Sequence, residues 1–251
     1  MSGLRIVLGR LGHVDCREVF LPGWESLGPE AMLRREVVFQ GSRVALGEIA
    51  SASGSADGTA VLEGEWRLAD GVGAGLAGGR VEVAGGVGSW AGAGQAGGVL
   101  VVRGDAMDHL GAAWPGRKRG MTGGEIVVLG RVGDGAGQAM RRGVVAIGGD
   151  AGRGMGYSML AGTVVALGAV GPDAGMLNKR GSLIALGDIA IAPSYVLACT
   201  YQPAFLPVIL RRLRREYGLA VTDEQMRGPW RRWSGDFAEL GRGEILTREM
   251  T

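Results

Sequence analysis

Short apolar runs with strand alternation recur through the middle of the chain. Val81 and Val83, Leu100 and Val102, Ile126 and Val128, Val145 and Ile147, Val164 and Ala166, and Leu183 and Ala185 are each two positions apart, and β-branched residues dominate them. Each run follows a glycine (Gly79, Gly98, Gly124, Gly143, Gly162 or Gly181), and the steps between these glycines are 19, 26, 19, 19 and 19 residues. The glycines in between keep step too. Gly124, Gly130, Gly133 and Gly137 lead to Gly143, Gly149, Gly152 and Gly156, and then to Gly162, Gly168, Gly171 and Gly175. A register of four glycines held at one period is an internal repeat.

One unit therefore predicts a strand followed by glycine-rich corners, where positive φ or close backbone approach is needed. Such a unit cannot bury its own apolar face, but stacked at a strand spacing of about 4.8 Å it can. The prediction is an all-β fold, a single-stranded parallel β-helix over residues 41–195. The 26-residue step is one 19-residue unit with a seven-residue insertion between Ala112 and Gly123. Upstream, the six-residue glycine frames around Val44 and Val61 predict irregular first turns.

The ends break the phase. Residues 1–40 carry apolar stretches at Leu4 to Leu8 and Glu18 to Leu21, and a Pro22-Gly23 turn, which predicts an N-terminal cap over the open strand edge. Residues 196–251 predict a C-terminal helix and tail. From Pro203 to Gly218 the period becomes helical, with Phe205, Val208, Ile209, Leu213 and Tyr217 set among Arg211, Arg212, Arg214 and Arg215. The tail brings Trp230, Trp233 and Phe237.

Composition excludes disorder, because the 49 glycines are phased and 46% of residues are hydrophobic. The formal net charge is only +2, so nothing points to nucleic acid. The start lacks the apolar core of a signal peptide and no run has transmembrane length, so a cytoplasmic protein without a membrane partner is expected. Cys16 and Cys199 read as reduced thiols, not metal ligands. The two histidines, His13 and His109, lie far apart, and no HExxH, GxSxG or Walker A sequence is present. No catalytic residue and no metal ligand is assigned, and the chain reads as a scaffold.

Two ladders accompany the repeat. Gln95, Met121, Met140, Met159 and Asn178 stand three residues before successive leading glycines and are expected to fill the interior. Arg141 and Arg142, then Lys179 and Arg180, precede later leading glycines, and Arg117, Lys118 and Arg119 lie in the insertion. These seven residues form either a solvated polar face or a basic track for an anionic partner. Val101, Val127, Val165 and Ile184 make a second apolar stripe, on the outer face of the strands. It predicts a subunit interface, with the C-terminal helix as the rival for covering it.

The repeat over Gly79 to Gly187, together with the terminal stretch from Arg232-Trp233-Ser234-Gly235-Asp236-Phe237 to Ile245-Leu246, resembles the C-subunit family of formylmethanofuran dehydrogenase. That family shares its glycine repeat with the C subunit of the bacterial formyltransferase/hydrolase complex and with the C-terminal domain of the glutamate synthase large chain. The resemblance implies a right-handed coil. The tail argues against a glutamate synthase fragment, and a composition rich in Arg, Ala and Gly and poor in Lys favours the bacterial complex over the tungsten or molybdenum dehydrogenase. The implied role is a non-catalytic subunit joined to an amidohydrolase-like A subunit, a formyltransferase D subunit and a B subunit. Such a complex moves formyl from formyl-tetrahydromethanopterin to methylofuran and hydrolyses it to formate. The chain itself is expected to hold no metal or covalent cofactor. The basic track at Arg117, Lys118, Arg119, Arg141, Arg142, Lys179 and Arg180 is expected to contact the glutamate-rich tail of methylofuran.

Overall fold

The structure is a computed structural model and describes residues 3–248. Each repeat unit forms one four-residue strand, as the alternation predicts: Arg80–Val83, Val99–Val102, Glu125–Val128, Val144–Ile147, Thr163–Ala166 and Ser182–Ala185. These strands pair in parallel with no slip between units. Val81 faces Leu100, which faces Ile126, and the register continues through Val145, Val164 and Leu183. The 26-residue step keeps this register because its extra residues leave the strand line as an exposed loop around Trp114 to Arg119.

The β-helix expectation is corrected by the topology. The strands belong to one 12-stranded mixed sheet, mostly parallel, and strands from both end segments join it. Leu4–Leu8 pairs in parallel with Thr59–Gly64 and antiparallel with Ala50–Gly54. At the far end Gly243–Arg248 adds in parallel to Ser182–Ala185, and Trp230–Gly235 and Val196–Tyr201 follow antiparallel. The physical reason is the unpaired N–H and C=O row at each end of the parallel run, which an added strand satisfies directly. Of the irregular upstream frames, only that around Val61 joins this sheet; Ser42–Ala45 lies in a separate four-stranded sheet with Glu36–Phe39, Val14–Asp15 and Ala69–Asp70.

Between strands the chain returns through glycine turns. A second line of parallel bridges runs Val87, Ala106, Val132, Ala151, Val170, Ile189. Aspartates tie successive returns together: Asp105, Asp134 and Asp150 accept hydrogen bonds from the backbone N–H of Arg131, Arg153 and Ala169 at 2.7–2.8 Å. The inner core lies between the sheet and these returns. It holds Val81, Leu100, Ile126, Val145, Val164 and Leu183, and the stacked Met121, Met140 and Met159 are buried there as expected. Gln95 and Asn178 occupy the two ends of that stack, and their side-chain amides bond to backbone groups of nearby turns.

The outer stripe is closed within the chain, which overturns the expected subunit interface. Val101, Val127, Ala146, Val165, Ile184 and Leu246 pack under helix Leu206–Tyr217 through Leu206, Leu210, Leu213 and Tyr217. Of the expected apolar positions Leu213 and Tyr217 are buried there and Ile209 packs against them, whereas Phe205 and Val208 are exposed, Val208 at 64%. A polar clamp fixes the helix on the sheet. Glu125, nearly buried, accepts a hydrogen bond of 2.5 Å from the Tyr217 hydroxyl and pairs with Arg212. Gly218, in the left-handed region at φ 76°, ends the helix with its N–H on Arg214 O.

Candidate anion-binding groove

The repeat places the residue pair before each leading glycine at the same corner of successive units. Arg141 and Arg142 stand on one unit, Leu160 and Ala161 on the next, and Lys179 and Arg180 on the one after. At about 4.8 Å per unit, the two cationic pairs lie roughly 10 Å apart across an apolar step. Arg119 reaches the same corner from the insertion loop. The structure thus brings Arg119, Arg141, Arg142, Lys179 and Arg180 together around a groove of about 460 Å³ whose floor is Leu160, Ala161 and Gly162. Lys118 opens onto an adjoining depression that shares Arg119, Leu160 and Lys179. Arg117 faces the opposite side of the loop, where it lines a separate cleft with Arg119.

The loop that delivers these cations is anchored at both ends. Arg117 N–H donates to Trp114 O at 2.8 Å to close its turn, and Gly120 and Met121 N–H donate to Ala139 O and Gly111 O at 2.9 Å. Among the described residues, Arg117, Lys118, Arg119, Arg141, Arg142 and Arg180 form no ion pair. Lys179 is the exception: its Nζ is 3.5 Å from Glu239, a carboxylate presented by the tail. That part of the tail is fixed by buried Asp236, whose carboxylate accepts the N–H groups of Leu177 and Ala238 at 2.8 Å. Glu239 sets a carboxylate beside Lys179 and lines the adjoining depression with Lys118 and Arg119. The sequence had offered the seven basic residues without any sign of Glu239.

Most other candidate groups are already engaged in structure, the buried Nδ1 of His109 being without a hydrogen-bond partner among the described residues. The larger cavity, about 620 Å³, runs beside Asp105, Asp108, Asp150 and Arg131, but each of these aspartates has an oxygen bound to a backbone N–H of the next return. His13 bonds Asp70 at 2.8 Å, and His109 stacks on Trp90 with ring centroids 4.2 Å apart. Among the described residues no group of three or more His, Cys, Asp or Glu is placed to hold a metal ion. Nor is any helix among them long and apolar enough to cross a membrane.

No protein-family model matches the chain, and no curated protein matches it. Among solved structures, the chain is similar to a chain of the formyltransferase/hydrolase complex (FhcABCD) from Methylorubrum extorquens, solved by X-ray crystallography in complex with methylofuran. The TM-score is 0.78 at 29% identity, over 98% of this chain and 100% of the other. The likeness therefore spans nearly the whole of both chains.

Proposed function

We propose that this chain is the C-type, non-catalytic subunit of a bacterial formyltransferase/hydrolase complex in the cytoplasm, and that its basic groove guides the anionic tail of methylofuran. The observation that carries this reading is the full-length likeness to a chain of FhcABCD. In such a complex the A and D subunits transfer formyl from formyl-tetrahydromethanopterin to methylofuran and release formate, with B completing the assembly. The C subunit contributes a stiff surface. Stiffness follows from the packing, since every repeat is bonded to both neighbours through its strand and its return.

The buried polar groups support a structural role. Gln95, Glu125, Asn178 and Asp236 each hold backbone groups or the helix, so they serve the fold rather than a reacting atom. The groove has the complementary character: the guanidinium groups of Arg119, Arg141, Arg142 and Arg180 form no ion pair among the described residues and stand with Lys179, paired to Glu239, on one corner. A flexible carboxylate chain laid across the units meets a cationic pair, an apolar step and a second cationic pair. Each exposed contact is weak and screened by salt, so the surface suits a tail that must slide and not lock.

The test is methylofuran affinity at low and physiological salt for the wild type and for the double variant Arg141→Glu/Arg142→Glu. Two lost exposed contacts of about 0.2–1 kcal/mol each, plus repulsion, weaken binding roughly tenfold and flatten its salt dependence. Unchanged affinity and unchanged salt dependence would show the basic corner to be a solvated face.

A further inference from the structure

The 12-stranded sheet ends differently at its two edges. At one, Ala50–Gly54 is backed within the chain by helix Pro29–Leu33 and the turn Leu46–Glu48, and Ala50 and Ala52 pack against the inner core. At the other, Val196–Tyr201 has a neighbour on one side only, Trp230–Gly235, and every residue from Val196 to Thr200 is exposed. The outward row of N–H and C=O groups on that strand meets no other strand among the described residues. A bare edge is a template for a further strand, and natural proteins blunt it with charge, proline, a bulge or a cover. Here charge, proline and cover are all absent from Val196 to Tyr201, and the one irregularity is a register shift between Leu197 and Cys199.

The side chains at this edge are apolar. Val196 and Leu197 are 51% and 50% exposed, and Phe237, at 59%, is carried beside them. Its N–H donates to Ser194 O at 3.0 Å, and the buried Asp236 carboxylate fixes its loop by accepting the N–H groups of Leu177 and Ala238. An aromatic ring held out by a fixed loop costs little ordering when a partner buries it. Six residues of strand span about 20 Å, too little surface for a stable contact of roughly 1,200 Å² or more, so an occupant must also cover these three side chains. Two observations choose the occupant. If two of these chains met edge to edge about a two-fold axis, the register shift would fall against its own copy and break the ladder at its centre. The chain is also similar, over nearly its whole length, to one chain of a complex of several different subunits.

We infer that the outer edge of Val196–Tyr201 is a strand-addition site that takes an extended, uncharged segment of a different subunit, whose apolar side chains cover Val196, Leu197 and Phe237. Main-chain groups set the register and the three side chains supply the anchor. The inference rests on the complex reading above, and it names a surface through which that complex holds this chain.

The experiment compares amide hydrogen exchange over Val196 to Tyr201, read by mass spectrometry, in the isolated full chain and in the assembly purified from the native host. Exchange at the edge is expected to slow roughly tenfold or more in the assembly. The double variant Val196→Lys/Leu197→Lys puts charge on two half-exposed positions and is expected to weaken assembly by roughly tenfold or more, whereas Val208→Lys, on the exposed side of the helix, assembles as the wild type does. Equal exchange in the two states, or an edge variant that assembles normally, overturns the inference and leaves the complex reading standing. Failure of any other subunit to co-purify overturns both. Protection of the edge in the isolated chain that disappears on dilution gives the site to a second copy and overturns the inference as well. Should the double variant fail to fold, the exchange comparison on the wild type decides the outcome.

Discussion

Gly137→Ala and Gly154→Ala separate two demands that the repeat makes on its glycines. Both residues have left-handed backbone, at φ 71°, so alanine costs about 1–2 kcal/mol at either for conformation alone. They differ in where a side chain would go. A Cβ on Gly137 would sit 2.9 Å from Val164 Cγ2 in the inner core, and β-branched valine is stiff about χ1. A Cβ on Gly154 would meet nothing nearer than Tyr157 Cβ at 3.8 Å. Overpacking adds roughly 1–3 kcal/mol, so Gly137→Ala is expected to cost about 2–5 kcal/mol and Gly154→Ala about 1–2. The chain has already run the control. At the Gly154 position other units carry Trp90, His109 and Asp173 with φ of 62–64°, whereas the Gly137 position is glycine in every unit, from Gly73 to Gly175. Urea unfolding followed by tryptophan fluorescence, with unchanged denaturant slope, measures the difference. Equal losses for the two variants would refute the claim that the middle glycine is required by the core.

Two further outcomes follow from buried groups. The phenol of Tyr217 is pushed up to about 12, first by burial and then by its bond to the Glu125 carboxylate, and Tyr195 is raised to about 12 by burial. Against an unfolded value near 10, raised groups give stability that is fully present below about pH 10 and lost as pH rises toward about 12. Tyr217→Phe is expected to lower stability at neutral pH by about 1–3 kcal/mol and to make the alkaline decline shallower, Tyr195 supplying the remainder; an unchanged alkaline limb in pH-dependent melting would contradict the clamp. The Cys16 thiol is pushed up by burial and by Asp15 and Asp70, while Cys199 is exposed. A thiol-reactive dye should therefore label one cysteine in the native chain and the second only on unfolding, and prompt labelling of both would show that Cys16 is not packed.

The strands were legible because two independent signals agree on them, the alternation of Val, Leu and Ile and the glycine that opens each unit. The interior methionines were legible for the same reason: one period places Met121, Met140 and Met159 on a single line. The mixed sheet was not. Leu4 to Leu8 reads as an apolar stretch, but nothing local says that it pairs with Thr59–Gly64, about 55 residues on. Likewise Gly243–Arg248 continues the parallel register of Ser182–Ala185 across a gap that contains a helix and two strands. The outer stripe was legible, and so were the helix as a candidate cover and its inward Leu213 and Tyr217; Leu206 and Leu210 were not, while Phe205 and Val208 turn out to be exposed. Of the groove, the cations and their spacing could be read from the repeat. Glu239 could not, since only the fold of the tail around Asp236 brings it to Lys179.

The central claim is that this chain serves formyl transfer and hydrolysis as a partner and not as a catalyst. Purifying it from its native host with the subunits that accompany it, and assaying formate release from formyl-tetrahydromethanopterin with methylofuran present, tests that claim most directly. The account predicts that the intact assembly releases formate, that the isolated chain releases none, and that returning the chain to an assembly depleted of it restores the rate. Formate release by the isolated chain, or a full rate from the depleted assembly, would contradict it.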